Sequence, residues 1–235
     1  MSSIRALRIG TRGSALALAQ TASVAELIER VTGVPSRLVP IRTEGDDLSV
    51  PLDAPSRPGA FVARLRDALL AGAVDVAVHS FKDLPFAPVD GLQVVAVPVR
   101  AEARDAVVSE SGDLASLASG ARVGTSSPRR AAAVQRYRPD LVVVPVRGNV
   151  DTRVRKMREG QVEAVIVAAA GLRRLGHGEQ ITQLVDPAVI VPAPAQGALA
   201  VEMRADHPLA EALSALDDEE SHVRVAAERQ VLAAI

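Results

Sequence analysis

This sequence predicts an α/β fold with mostly parallel sheets, on two grounds. Strand-like apolar runs alternate with segments of helical spacing along the whole chain. Two of these runs, 74–78 (broken only by Asp75) and 164–169, are near-continuously apolar, the pattern of a strand buried on both faces. Residues 6–10 read as the first strand and 11–13 as a turn. Ser14 reads as the N-cap of a helix in which Leu18, Ala22, Ala25 and Ile28 recur at helical spacing. Residues 37–41 read as a strand, 43–58 as a polar segment marked by proline and glycine, and 61–70 as a helix stopped at Gly72. The strand at 74–78 runs directly into His79-Ser80-Phe81-Lys82-Asp83-Leu84-Pro85, and 92–97 is a further strand.

The same logic then repeats. Residues 122–124 read as a strand end and 125–127 as a turn, with Pro128 at the first position of a helix that runs to Tyr137. A strand at 141–146 leads through Arg147-Gly148-Asn149, with Asn149 a candidate N-cap, into a helix closed by Gly160. The buried strand at 164–169 follows, then an extended segment at 189–194, a strand at 199–203, and helices at 209–216 and 219–235. The reading divides the chain into a domain of residues 1–97 plus 193–217, a second of residues 98–192, and a helix, 218–235, leading out of the pair.

Composition bounds the function. The 235 residues are 48% hydrophobic but only 2% aromatic, so the core is built from Val, Leu, Ile and Ala, and single-stranded nucleic acid finds no stacking platform. A net charge of −1 supplies no global field for nucleic acid or membrane, and no apolar stretch reaches membrane-spanning length. The absence of cysteine removes disulfides, thiolate metal sites and cysteine nucleophiles. No signal-like apolar region follows Met1, and a cytoplasmic protein is expected. His79, His177, His207 and His222 lack ligand spacing and read as helix-end or surface residues, so no metal site is expected. Of the 27 basic residues only Lys82 and Lys156 are lysines.

Three segments share one arrangement: Gly10-Thr11-Arg12-Gly13-Ser14, Gly124-Thr125-Ser126-Ser127-Pro128-Arg129-Arg130, and Arg147-Gly148-Asn149 with Arg153. Each sets hydroxyls or arginines beside a helix start, where free N–H groups and the helix dipole favour an anion. One such segment alone reads as ordinary capping; three point to a polyanionic ligand. Asp83 follows a buried strand beside Lys82, where a carboxylate can balance a developing cation or move protons. Spacing weighs that role equally with a surface ion pair in a turn.

These segments, in this order, resemble the porphobilinogen deaminase family. The likeness runs from about Arg8 to the end. It is carried by Arg8-Ile9-Gly10-Thr11-Arg12, Thr43-Glu44-Gly45-Asp46, the run from Ala77 to Pro85, Arg104-Asp105-Ala106, the two arginine-bearing turns, Ala170-Gly171-Leu172 with Arg174-Leu175, and Gln196-Gly197-Ala198. The resemblance implies a transferase that joins four porphobilinogen units head to tail, with release of ammonia, on a dipyrromethane cofactor. It implies Asp83 as the catalytic carboxylate. It implies that Arg12, Ser14, Ser80, Lys82, Thr125, Ser127, Arg129, Arg130, Arg147, Gly148, Arg153 and Gln196 hold cofactor and substrate carboxylates, with Arg174 accommodating the lengthening chain. It also implies a monomer whose first two domains resemble type II periplasmic binding proteins around a hinged cleft.

Two departures accompany it. The family anchors its cofactor on a cysteine in a glycine-rich loop just after the helix matching 224–235. The sequence ends there, so the covalent anchor and almost all of a third domain are expected to be absent. The family's lysines and glycines before Phe61 are replaced by Ser56-Arg57-Pro58-Gly59-Ala60. An anion-binding protein or a truncated non-catalytic paralogue using the same two-domain cleft is the alternative.

Overall fold

A computed structural model describes residues 6–42 and 62–234. The polar 43–58 stretch, with Arg57 and the Thr43–Asp46 run, and the helix start at Phe61 lie outside the described residues. In chain order the elements are β1 (Leu7–Arg12), α1 (Ala15–Thr32), β2 (Ser36–Ile41), α2 (Ala63–Leu70), β3 (Val76–Ser80), a 3-10 turn (Phe81–Asp83), β4 (Leu92–Ala96), β5 (Asp105–Ser109) and β6 (Arg122–Gly124). There follow α3 (Pro128–Tyr137), β7 (Val142–Val144), α4 (Val150–Arg158), β8 (Ala164–Ala168), α5 (Ala169–Arg174), a second 3-10 turn (Gly178–Gln180), β9 (Gln183–Leu184), β10 (Leu199–Arg204), α6 (Ala210–Ser214) and α7 (Glu219–Ala233). The chain forms two compact units, Met1–Ala101 with Ala198–Ile235, and Glu102–Gly197.

Unit 1 is built on a five-stranded sheet of order β2-β1-β3-β10-β4. Successive side chains of a strand point to opposite faces, and both faces of this sheet are covered. Leu7, Ile9, Val76, Val78, Val201 and Met203 pack against Val24, Ala25 and Ile28 of α1 and Leu213 of α6. Ala77 and Val74 pack on the other side with Leu65 and Leu69 of α2. The buried stripe of α1 is Gln20, Thr21, Val24, Ala25 and Ile28. Leu18 is half-buried and Ala22 exposed, so the stripe lies to one side of the expected Leu18–Ala22 line.

Unit 2 repeats the plan with order β7-β6-β8-β5-β9. Val107, Val123, Ala164 and Ile166 face Val134 of α3, while Ala106, Val108, Val165 and Val167 face Val154 and Met157 of α4 and Leu172 of α5. Gly124 sits where β6 passes under this second layer. A Cβ there would lie 2.7 Å from Val146 Cγ2, 3.0 Å from Val165 Cγ1 and 3.1 Å from Val162 Cγ2. Gly124→Ala is therefore expected to cost about 1–3 kcal/mol by overpacking, read as a lower urea midpoint; an unchanged midpoint would refute the close packing.

The expectation of mostly parallel sheets needs correction. β1 pairs β2 and β3 in parallel, and β6 pairs β7 and β8 in parallel. However, β10 is antiparallel to both β3 and β4, and β5 is antiparallel to both β8 and β9. Each odd strand is the first its unit receives after the chain crosses from the other. Leu199 at the start of β10 pairs with Ser80 at the end of β3, and Asp105 at the start of β5 pairs with Ala168 at the end of β8. A strand entering where its neighbours end has to run against them, whereas a parallel one would need a long crossover. The sequence reading placed the crossings near 98–100 and 191–195; the units divide after Ala101 and after Gly197.

Candidate active site

In both units the residues singled out by the sequence collect at the C-terminal edge of the parallel strands, where α/β proteins bind ligands. In unit 1, β1 ends at Arg12 and Ser14 caps α1, its Oγ accepting from the Ala17 amide at 3.3 Å. A cap of this kind contributes about 1 kcal/mol. Thr11 and Thr21 are buried with their hydroxyls 2.7 Å apart, closing the strand–helix turn from inside. β3 ends at Ser80, whose hydroxyl donates to Gln20 Oε1 at 3.0 Å. The chain then makes its 3-10 turn, with Phe81 buried, Lys82 exposed and Asp83 half-buried. Among the described residues Asp83 accepts no hydrogen bond and forms no ion pair, so the surface ion-pair reading of this turn has no counterpart in the geometry.

Directly beneath lies a buried polar cluster that the sequence reading missed. His79 Nε2 is 2.9 Å from Glu202 Oε2, and Arg66 donates from Nε to Glu202 Oε1 at 2.9 Å. Burial pushes the Glu202 carboxyl up, but His79 and Arg66 outweigh it and hold it below the ordinary range. His79 and His207 are both buried, which corrects their expected surface placement. Alternation along β3 and β10 aims His79 and Glu202 at each other across the strand pair. That pairing is a tertiary fact no local spacing reports.

Unit 2 holds most of the arginines. Thr125 is buried, and its Oγ1 accepts from the Ser127 amide at 3.2 Å; Ser127 caps α3, its Oγ accepting from the Arg130 amide at 3.5 Å. Arg129 and Arg130 converge on Asp105, donating to Oδ2 at 2.8 Å and Oδ1 at 2.7 Å. Gln196 adds Nε2 to Asp105 Oδ1 at 2.8 Å and to the Ala103 carbonyl at 2.7 Å. Arg129 also donates to the Val191 carbonyl. Arg130 is only 6% exposed and donates further to the Ile166 carbonyl at 3.2 Å; its Nε lacks a partner among the described residues. Asp105 is fully buried: desolvation would raise its pKa, but Arg130 and then Arg129 hold it below 3.8. The sequence context of Asp105 signals no role for it; the two arginines opposite supply that signal. Ala195, at φ 60°, is the one described non-glycine residue with positive φ, and it turns the chain immediately before Gln196.

Arg147, Gly148 and Arg153 form the third cluster. Gly148 has φ 117°, and a Cβ would strike Thr152 Cγ2 at 2.6 Å, so only glycine fits. Its carbonyl accepts from Arg153 Nε at 2.8 Å, and the Arg147 carbonyl accepts from Lys156 Nζ at 3.3 Å. Arg155 and Arg158 on the same helix face solvent. Asn149 occupies the N-cap of α4 without a side-chain hydrogen bond, so the expected capping is positional only. At the end of α5, Arg174 donates to the Gly197 carbonyl at 2.7 Å. Burial, and then the neighbouring Arg130 charge, lowers the pKa of Arg153; burial alone lowers Arg174 to about 10. Among the described residues neither meets a carboxylate. Two guanidinium groups held partly out of water against carbonyls alone favour an anion from outside the chain.

Fold and site together define a class: a two-unit α/β protein of solute-binding-protein architecture. A TRAP periplasmic solute binding protein from Desulfovibrio salexigens superimposes with a TM-score of 0.52 at 12% identity, covering 97% of this chain and 78% of that one. The chain belongs to the porphobilinogen deaminase family: the family model described as "Porphobilinogen deaminase, dipyromethane cofactor binding domain" matches residues 7–212. Porphobilinogen deaminase 1 of Streptomyces coelicolor is 48% identical over 98% of this chain and 74% of its own length. Porphobilinogen deaminase of Acidothermus cellulolyticus is 49% identical over 100% of this chain and 72% of its own length.

Proposed function

We propose that this chain is a hydroxymethylbilane-forming transferase, condensing four porphobilinogen units head to tail with release of ammonia. Family membership supports the reaction class. The observation that favours catalysis over anion binding is Asp83, a half-buried carboxylate at a strand end with no partner among the described residues. In each condensation the aminomethyl C–N bond breaks, ammonia leaves, and a cation spreads over the pyrrole ring. The free α-carbon of the terminal pyrrole of the growing chain closes the C–C bond to it and loses its proton. Asp83 accepts from the pyrrole N–H and stabilises that cation, an interaction stronger in the transition state than in the ground state.

Acetate and propionate side chains make the growing product a polyanion. Arg153 and Arg174 fit it best, being half-buried cations that meet no carboxylate among the described residues. Arg12, Ser14, Ser80 and Lys82 in unit 1, and Thr125, Ser127, Arg129, Arg130, Arg147, Gly148 and Gln196 in unit 2, complete the assigned set. The same donors suit the family's dipyrromethane cofactor, which when bound supplies the pyrrole end that receives the first substrate unit. Its thioether anchor needs a cysteine, and none of the 235 residues is one, so no residue of this chain is assigned that bond.

The chain is read as acting as a monomer in the cytoplasm, and its net charge of −1 supplies no global field for nucleic acid or membrane. Among the described residues no helix is long and apolar enough to cross a membrane. The test of function is incubation with porphobilinogen, following ammonia and product mass together. Ammonia released as a tetrapyrrole appears is the expected result; porphobilinogen bound but recovered unchanged would establish a binder instead.

A further inference from the structure

α7 is a 15-residue helix with only two buried residues, Ser221 and Val225. It is tied to unit 1 largely through polar groups. Asp218 caps it, accepting from the Ser221 amide at 2.9 Å, and Ser221 Oγ accepts from the Arg100 amide at 2.9 Å. Glu228 takes both terminal nitrogens of Arg100 at 2.6 and 2.8 Å. The next residue, Arg229, reaches the turn that carries Asp83. It donates to the carbonyls of Leu84 at 2.8 Å, Pro85 at 3.0 Å and Phe81 at 3.4 Å. Its guanidinium also lies 4.6 Å from the Phe81 ring centroid and 5.7 Å from that of Phe86.

Two of the chain's three phenylalanines thus flank one arginine, and the three carbonyls it gathers lie on both sides of Asp83. Among the described residues Arg229 meets no carboxylate, so no ion pair explains its place. Burial, and then the charge of Arg66, lowers its pKa. A planar fork that donates to several carbonyls and stacks on aromatic rings is something lysine cannot reproduce.

We infer that Arg229 is a positioning residue for the reaction: from α7 it fixes the 81–85 backbone and so the direction in which the Asp83 carboxylate points. This rests on the proposed role of Asp83. The residue lies beyond the 7–212 span of the family match.

The test uses Arg229→Ala and Arg229→Lys in the full chain, with backbone hydrogen exchange and steady-state kinetics measured on each. Exchange at residues 81–86 should rise at least about 10-fold in the alanine variant while the β-strands keep their protection, since only local opening is affected. The kcat should fall about 10- to 100-fold with KM changed less than about twofold, because misaim by an ångström costs that much. Lysine should restore little, and added methylguanidinium should restore kcat in the alanine variant. Unchanged exchange at 81–86, full rescue by lysine, or raised exchange with wild-type kcat would each overturn the inference. Should alanine loosen the whole of unit 1, the lysine variant decides. If wild-type protein leaves porphobilinogen unchanged, the proposed function falls, while the exchange data still decide whether Arg229 fixes the turn.

Discussion

Asp83→Asn is expected to lower kcat by about 10²- to 10³-fold with little change in stability, the magnitude seen when one preorganised charge-stabilising group is lost. The substitution keeps shape and volume and removes only the negative charge. Asp83 has no partner among the described residues, so its neutralisation strands no buried cation and should stay within roughly 0.5 kcal/mol. Porphobilinogen binding should persist, because the carboxylates of the substrate are assigned to arginines and hydroxyls elsewhere. Asp83→Glu keeps the charge but displaces it by one methylene, and an intermediate loss is expected. Steady-state kinetics beside thermal unfolding would separate chemistry from folding. A kcat within threefold of wild type for the asparagine variant would remove Asp83 from the reaction and favour the anion-binding alternative.

Asp105→Asn is expected to do the reverse, acting first on stability. Asp105 is fully buried and neutralises Arg130, itself 6% exposed, and Arg129. Removing one partner of a buried ion pair leaves the other uncompensated, at a cost of about 3–5 kcal/mol. Arg130 already has one unpartnered nitrogen, Nε, so it has little capacity to absorb the change. The loss should appear as a lower denaturant midpoint of unit 2. By contrast, the exposed Arg122–Glu163 pair should contribute no more than about 1 kcal/mol if broken.

The pH dependence follows from the same geometry. The folded-state pKa of Asp105 lies below the usual 3.8, so its stabilisation is fully present above pH 3.8 and is lost as pH falls through the folded value. The stability gap between wild type and Asp105→Asn should therefore narrow only below pH 3.8, when wild-type Asp105 protonates. Urea titrations at pH 7 and at pH 3 would measure it. An equal gap at both would show that the residue acts through packing rather than charge.

The parts of the fold legible in sequence are those set by local chemistry. Ser14 and Ser127 cap their helices because a hydroxyl before a helical run meets free amides in its own first turn. Gly33 and Gly160 end helices α1 and α4 in positive φ for an equally local reason. The near-continuous apolar runs at 74–78, where Asp75 is the one exception, and at 164–169 announce strands covered on both faces. The candidate site residues were legible as motifs, since strand ends and helix starts can be read one segment at a time.

β5 was not legible: it is five residues long and opens on Asp105, a charge that argues against burial until Arg129 and Arg130, 24 and 25 residues away, come to meet it. The direction of β5 and β10 was hidden for a similar reason, because side-chain alternation is the same in parallel and antiparallel strands. Sequence alone therefore determined the α/β class, the capped turns that carry the hydroxyls and arginines, and the family. Only tertiary structure decided which charges neutralise each other. It turned Arg129 and Arg130 toward Asp105, left Arg153 and Arg174 without a carboxylate among the described residues, buried His79 against Glu202, and brought Arg229 to the Asp83 turn. Ion pairing depends on distance through space, and residues up to 148 positions apart in the chain share that space here.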